Sequence, residues 1–440
     1  MSETHQLHTP EQAIERLAGL PGGPELLALA QRREDIALVG GAVRDLLLGR
    51  WPRELDVTVE RDAAELAAAL AASVSPSERA YGHAVEPVLH EHFGTASVAW
   101  EYGRIDIAAR RAEVYPSPGA LPEVRPGTVE EDLARRDFTI NAIALPLAGA
   151  QRARLLAHEH ALEDLAAGRL RVLHERSFAD DPTRLLRMAR YAARLHFAIE
   201  SGTRELAERA LRESALDTVS GERVGGELWL AVREPDGRAS LRAFDSLGVL
   251  GALGLPSPFD DDLAEHAEAL LPRDGDPGVV RMAAALRFAE LEDGVDDGSA
   301  LQAARRLGFD GAQAEAASAA GQADALAELA ASMPAAAAFA VLDGRTLEAV
   351  ALAGAVAERR APGGADTFRA WLETQRHVRL EIGGEDLLAA GVREGPEVGA
   401  RLALALRRKR EGAASGREEE LRAALEPVAA PGDPIETSPR

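Results

Sequence analysis

The chain has 440 residues, a formal net charge of −22, no cysteine and a single lysine, Lys409. That length exceeds one hydrophobic core and implies several domains. Without cysteine there are no disulfides, no thiol catalysis and no cysteine-ligated zinc. The acidity argues against a general nucleic-acid binder, which needs clustered cations. Acid is concentrated at residues 260–262 and 290–297, however, whereas residues 135–212 are dense in arginine and offer a local basic path. No apolar run reaches membrane-spanning length and residues 1–10 lack the pattern of a signal peptide, so a soluble, cytoplasmic protein is expected.

Residues 11–33 read as a helical lead-in, with Ile14, Leu17 and Leu26 at apolar positions and a breaker at Pro21-Gly22-Gly23-Pro24. An apolar strand over residues 36–39 then meets Gly40-Gly41, a short helix carries Arg44 and Asp45 to a closing Gly49, and a second strand covers residues 54–59. Glycines let backbone N–H groups approach an anion and a helix N-terminus favours negative charge, so Gly40, Gly41, Arg44 and Asp45 are candidates to hold a triphosphate, with Arg44 as counter-ion. Period two sets Glu54, Asp56 and Thr58 on one face and Leu55, Val57 and Val59 on the other. Two carboxylates facing a phosphate site suit Mg²⁺, and the chemistry they imply is nucleotidyl transfer. A Gly-Gly turn or a polar strand face alone has a bland reading; their order in one stretch favours chemistry.

A helix over residues 62–72 and strands near 85–89, 96–100 and 104–108 continue a mixed α/β head to about residue 147. Asp106, in the last of these strands, is either a third acid beside Glu54 and Asp56 or a strand-end aspartate satisfied by backbone. Arg135-Arg136-Asp137-Phe138-Thr139-Ile140-Asn141 follows. Its arginines suit phosphate oxygens, Asp137 can accept from ribose hydroxyls, and Asn141 both donates and accepts. The plain alternative is a helix start with Asp137 as its cap.

Beyond residue 147 the sequence reads as helical, with Pro/Gly punctuation and alanine-rich segments over residues 300–340 that favour close helix packing. Asp180-Asp181-Pro182-Thr183-Arg184-Leu185-Leu186-Arg187 opens this half. The i, i+3 spacing sets Asp181 and Arg184 on one helix face. A carboxylate beside a guanidinium matches the amino-donor and ring-nitrogen-acceptor edge shared by cytosine and adenine, which uracil and guanine invert. Pro182 would equally suit a first helical position with Asp181 as N-cap. Ser220, Glu222 and Arg223 read as scaffolding, and His266 as a surface helix residue. Arg407, Arg408, Lys409 and Arg410 read as a cationic run suited to phosphate contacts or as an exposed helix face. Residues 427–440 read as disordered.

Taken together, Gly40-Gly41-Ala42-Val43-Arg44-Asp45, the Arg-Arg-Asp-Phe-Thr-x-Asn match at residues 135–141 and the Asp-x-x-Arg at Asp181 and Arg184 resemble the class II tRNA nucleotidyltransferase and bacterial poly(A) polymerase family, within the DNA polymerase β superfamily. The resemblance runs over about residues 36–425, including softer matches at residues 220–228 and 380–399. Glu54-Leu55-Asp56 stands where that family usually has Asp-x-Asp.

The resemblance implies an α+β chain: a polymerase-β-like mixed α/β nucleotidyltransferase head at residues 36–147 after the lead-in at 1–35, then an elongated all-α neck (148–212), body (213–345) and tail (346–426) that binds an RNA stem. It implies CCA addition from CTP and ATP to the 3′ end of the tRNA acceptor stem. Glu54 and Asp56 would hold Mg²⁺, with Asp106 as a third catalytic acid. Gly40, Gly41, Arg44, Asp45, Arg111, Arg136, Asp137, Asn141, Asp181, Arg184 and Arg187 would bind the nucleotide, Arg111 by its match to an Arg-x-Glu-x-Tyr pattern. No protein partner or membrane is expected. A poly(A) polymerase, a partial CC-adding or A-adding enzyme, and a non-catalytic RNA-binding protein with a decayed site are the alternatives.

Overall fold

The computed structural model describes residues 4–74, 85–90, 94–101, 103–287 and 297–426. The expected disorder at 427–440 and nearly all of the acidic run at 290–297 lie outside the described residues. The chain divides into two compact units, Met1–Leu253 and Gly254–Arg440.

In the first unit α1 (Pro10–Leu17) and α2 (Gly23–Ala30) lead in, with Ile14, Leu17 and Leu26 buried as their spacing predicts. A reciprocal cap between Thr9 and Gln12 starts α1. Then come β1 (Ala37–Val39), α3 (Gly41–Leu47), β2 (Leu55–Val59), α4 (Ala63–Ser73), β3 (Val88–His90), β4 (Thr95–Trp100) and β5 (Gly103–Ala109). β6 (Arg111–Val114) pairs with β7 (Glu123–Pro126) in a separate ladder, and α5 (Val129–Ala134), β8 (Ile143–Pro146) and β9 (Leu156–Ala157) follow. The main sheet has the order β3-β4-β5-β2-β1-β8-β9. Only β2 and β5 pair in parallel there, and that pairing sets Asp56 in register with Asp106. The sheet reaches Ala157 rather than ending near residue 147. All four positions of β8 are buried, and β9 covers what would otherwise be its open edge.

Helices α6 (Ala161–Ala166), α7 (Ser177–Asp180), α8 (Arg184–Leu195), α9 (Ser201–Arg212), α10 (Gly221–Val232), α11 (Gly237–Ser246) and α12 (Val249–Ala252) follow, and a two-stranded parallel ladder of Arg169–Leu170 with Ala198–Ile199 lies among them, so residues 148–212 are not the all-α neck expected. Leu185, Leu186, Met188, Ala189 and Leu195 of α8 are buried, while Arg187, Arg190 and Arg194 recur at helical spacing along the same element.

The second unit is helical throughout its described residues. Its helices Gly311–Ala331 and Leu347–Arg360 bury mainly alanines, as the composition predicts. Asp324 accepts from both Arg287 and Arg360 and so ties helices together. In the cationic run at residues 407–410, acids within the unit take up three of the four side chains, while Arg407 stays exposed beside Glu411. Lys409 bonds the fully buried Glu420, Arg410 bonds Asp343, and Arg408 bonds Glu426. His266 is exposed on the helix Asp261–Leu270, as expected.

Candidate active site

β1 delivers the chain to Gly40, whose φ of 66 and ψ of −134 fall where side-chain-bearing residues rarely go. A Cβ there would lie 2.8 Å from Arg136 Nη1 and 3.8 Å from Asp56 Oδ2, so glycine lets a cation and a carboxylate close on the turn. Arg44 is 2% exposed, donating to Asp45 at 2.8 Å and to Asn141 Oδ1 at 2.6 Å. It braces the turn from within rather than standing open as a counter-ion.

Strand β2 begins at Leu55, so Glu54 precedes it and is exposed, and the polar face is shorter than period two suggests. Thr58 is buried and donates to the Ala108 carbonyl. Asp106 is satisfied by side chains rather than by backbone. Its Oδ1 accepts from Ser97 Oγ and from Arg104 Nε at 3.0 Å. Burial, then the negative charge of Glu54 and Asp106, pushes the Asp56 carboxyl up to about 6 against the opposing pull of Arg136. A crowded, under-neutralised pair of oxygen donors suits a hard divalent cation. Among the described residues no three His, Cys, Asp or Glu side chains are assembled as a metal cage. Glu54 and Asp56 fit the smaller share that Mg²⁺ takes from protein when phosphate oxygens supply the rest.

The segment at residues 135–141 is held by acids that its motif does not contain. Asp132, buried on α5, accepts from Arg135 and Arg136. Glu113 on β6 accepts from Arg135, Arg111 and the Tyr115 hydroxyl, so Arg111 is bonded where a mobile cation was expected. Asp137 takes Phe138 N, Asn141 Nδ2 and both Nε and Nη2 of Arg187, the last at 2.6 Å. Burial alone would raise its carboxyl, but Arg187 and Asn141 hold it down to about 2. A ribose hydroxyl would share an acceptor that is already well supplied.

Around this pair lies an arginine lattice. Arg187 and Arg190 bond Glu227, Arg190 and Arg53 bond the buried Glu234, and Arg194 faces Asp45 at 3.5 Å. The Tyr191 ring lies 5.5 Å, 5.6 Å and 5.0 Å from the guanidinium carbons of Arg44, Arg187 and Arg190, and meets Phe138 edge-on.

Asp181 and Arg184 do not share a helix face. Asp181 is extended because a residue before proline avoids the helical region, and α8 starts only at Arg184, after Thr183. Asp181 Oδ1 accepts from Thr183 N, Thr183 Oγ1 and Arg223 Nη2, and no described residue donates to Oδ2. Arg184 donates to Ser177 Oγ and the Arg135 carbonyl. Ser220 stands at the N-cap of α10 without a side-chain bond, while Arg223 braces both Asp181 and the Gly119 carbonyl.

One cavity of ≈ 1020 Å³ is lined by every candidate residue except Arg111. Its lining also includes Ser97, Arg104, Glu113, Asp132, Arg190, Tyr191, Glu227 and Glu234, which sequence reasoning did not single out. Two patterns carried a signal for some of them: helical spacing of Arg187, Arg190 and Arg194 on α8, and of Glu227 and Glu234 near α10.

The model of the poly A polymerase head domain matches residues 36–171. The A-adding tRNA nucleotidyltransferase of Halalkalibacterium halodurans is 40% identical over 244 residues, 55% of this chain and 55% of that protein. The CC-adding tRNA nucleotidyltransferase of Deinococcus radiodurans is 40% identical over 238 residues, 53% of this chain and 59% of its own length. The chain thus spans little more than half the length of these curated relatives. The Thermotoga maritima CCA-adding enzyme complexed with tRNA has a TM-score of 0.70 and 28% identity, covering 94% of this chain and 98% of that one.

Proposed function

We propose, on the match of residues 36–171 to the poly A polymerase head domain, that the chain is a template-independent nucleotidyltransferase adding CCA to the 3′ end of tRNA from CTP and ATP. The observation that carries the reading is Asp56, flanked by Glu54 and in register with Asp106, in one cavity with the Gly40 turn and with Asp181 and Arg184.

In this reading Glu54 and Asp56 would hold Mg²⁺, whose chemistry when bound would be Lewis-acid polarisation of the phosphate that the RNA 3′-hydroxyl attacks. The Gly40-Gly41 turn and Arg136 receive the triphosphate. Asp137, fixed by Arg187, orients Asn141 and with it Arg44. Asp181 offers Oδ2 to the base amino group, and Arg184 keeps donors for the ring nitrogen, since its two named bonds use two of five N–H groups. UTP and GTP would leave these groups facing like partners, which can cost ~10⁴-fold or more in efficiency. The work would be done in the cytoplasm.

A second reading has its own support, because the relatives matched at 40% identity are named A-adding and CC-adding enzymes. It is a partial activity on the same site. tRNA transcripts ending before CC, ending before A, and complete, each incubated with labelled CTP or ATP, separate these readings. Three-nucleotide completion supports CCA addition, extension of only one truncated transcript supports a partial enzyme, and a long adenosine tail supports a poly(A) polymerase. Absence of any extension sinks the reading.

A further inference from the structure

Arg104 has no part in the reading above. It stands two residues before Asp106 on β5, so the strand's period directs both side chains to one face. Ser97 of β4 lies opposite Asp106 in register. The guanidinium reaches Asp106 Oδ1 at 3.0 Å, and its Nη2 lies 3.5 Å from Ser97 Oγ, which donates to the same oxygen. Arg104 also sits in the field of Glu54 and Asp56. The rim of the cavity therefore holds three carboxylates and, besides Arg136, a cation tethered directly to Asp106.

Two further features bear on that cation. Its side chain is 56% exposed, so the arm can swing away without unpacking the sheet, and an exposed ion pair is cheap to break. Asp106 is in register with Asp56 yet turned toward Ser97 and Arg104, and among the described residues the acids form no ready cage. A guanidinium and a divalent ion repel each other and compete for the same oxygens.

We propose that Arg104 is a positioning residue that stands in for the divalent ion: it neutralises the acid rim and holds Asp106 aside in the ion-free enzyme, and it leaves when the ion arrives. This rests on the reading that Glu54 and Asp56 bind such an ion. Affinity for the ion in the absence of nucleotide is then limited by Arg104.

The test is a Mn²⁺ titration of the full chain without nucleotide, with free ion read by electron paramagnetic resonance, on the wild type, R104Q, R104A and R104K. R104Q and R104A should each bind Mn²⁺ on the order of threefold to tenfold more tightly, and R104K should keep the wild-type affinity. Thermal midpoints establish that each variant is folded. Unchanged or weaker binding by R104Q and R104A overturns the proposal, as does equal tightening by R104K. Wild-type transfer of labelled CTP, run alongside, separates the two claims. Transfer intact with unaltered R104Q affinity removes only the role of Arg104, whereas no transfer and no Mn²⁺ binding in any protein removes the reading beneath it.

Discussion

The acid rim on β2 and β5 and the arginine lattice along α8 line the same cavity and treat carboxylates in opposite ways. At the rim, Asp56 is pushed up to about 6, burial being the largest cause and Glu54 and Asp106 adding to it against the pull of Arg136 and Arg44. In the lattice, Asp137 is buried more completely yet held down to about 2 by Arg187 and Asn141. Burial works in the same direction on both, so the sign is set by which partners were built in. The rim is left short of positive charge and can recruit an ion. The lattice is neutralised on site and serves rigidity.

The largest expected effect on this contrast comes from its centre. Asp56→Ala should lower nucleotide transfer by on the order of 10³ while leaving tRNA binding nearly intact, measured by labelled CTP incorporation and gel shift. Substantial residual turnover would mean that Asp56 holds no essential ion. On the lattice side, Asp137→Asn leaves the half-buried Arg187 beside a neutral partner and should cost about 1–3 kcal/mol in denaturant unfolding. A loss below about 1 kcal/mol would show that Glu227 and Tyr191 suffice.

Titration separates the regions by sign. Asp56 has a folded pKa above its ordinary 3.8, so the folded state holds the proton longer. Its contribution to stability is present below pH 4 and is lost as pH rises toward about 6, up to ~3 kcal/mol in metal-free protein. Asp137 has a folded pKa below 3.8, so its contribution is present above about pH 4 and is lost as pH falls toward 2. Unfolding of the wild type, Asp56→Asn and Asp137→Asn from pH 2 to 7 should assign each arm to its residue; an arm that persists in the matching variant contradicts the assignment.

Asp181→Ala should have the smallest effect on stability. Loss of its bonds to Thr183 and Arg223 should cost about 1 kcal/mol. The CTP-to-UTP efficiency ratio should fall. A ratio that survives would leave Asp181 as a brace for Thr183 and Arg223 alone.

Local motifs were legible in the sequence where their chemistry is local. The strand-turn-helix around Gly40 and the alternation that carries Asp56 are read off neighbouring residues; the structure has the first, and keeps the second at Leu55, Asp56 and Val57 while leaving Glu54 outside the strand and burying Thr58. Asp106 was legible as an acid on an apolar strand, but its exact register with Asp56 depends on a parallel pairing across 50 residues. The partners of the motif residues were not legible. Asp132 neutralises Arg135 and Arg136, Glu227 answers two arginines of α8, and Arg223 rather than Arg184 meets Asp181. The last two depend on packing between distant segments, whereas Asp132 lies three and four residues before its arginines, a helical spacing present in the sequence but outside the motif. Pro182 carried the information that Asp181 lies outside the helix, because the residue before proline resists helical backbone, yet it was equally compatible with a first helical position. In the second unit the cationic run at residues 407–410 looked open because its acids, Asp343, Glu420 and Glu426, are scattered along the chain.

The most direct measurement is the thermal midpoint of the wild type, Asp56→Asn and Asp137→Asn in chelator and in millimolar MgCl₂, at a pH above 7 where Asp56 is ionised. An ion that binds the folded state raises its stability by mass action. The rim account predicts that Mg²⁺ raises the midpoint of the wild type and of Asp137→Asn and leaves Asp56→Asn where it was. An equal rise in all three proteins, or none in the wild type, would contradict it.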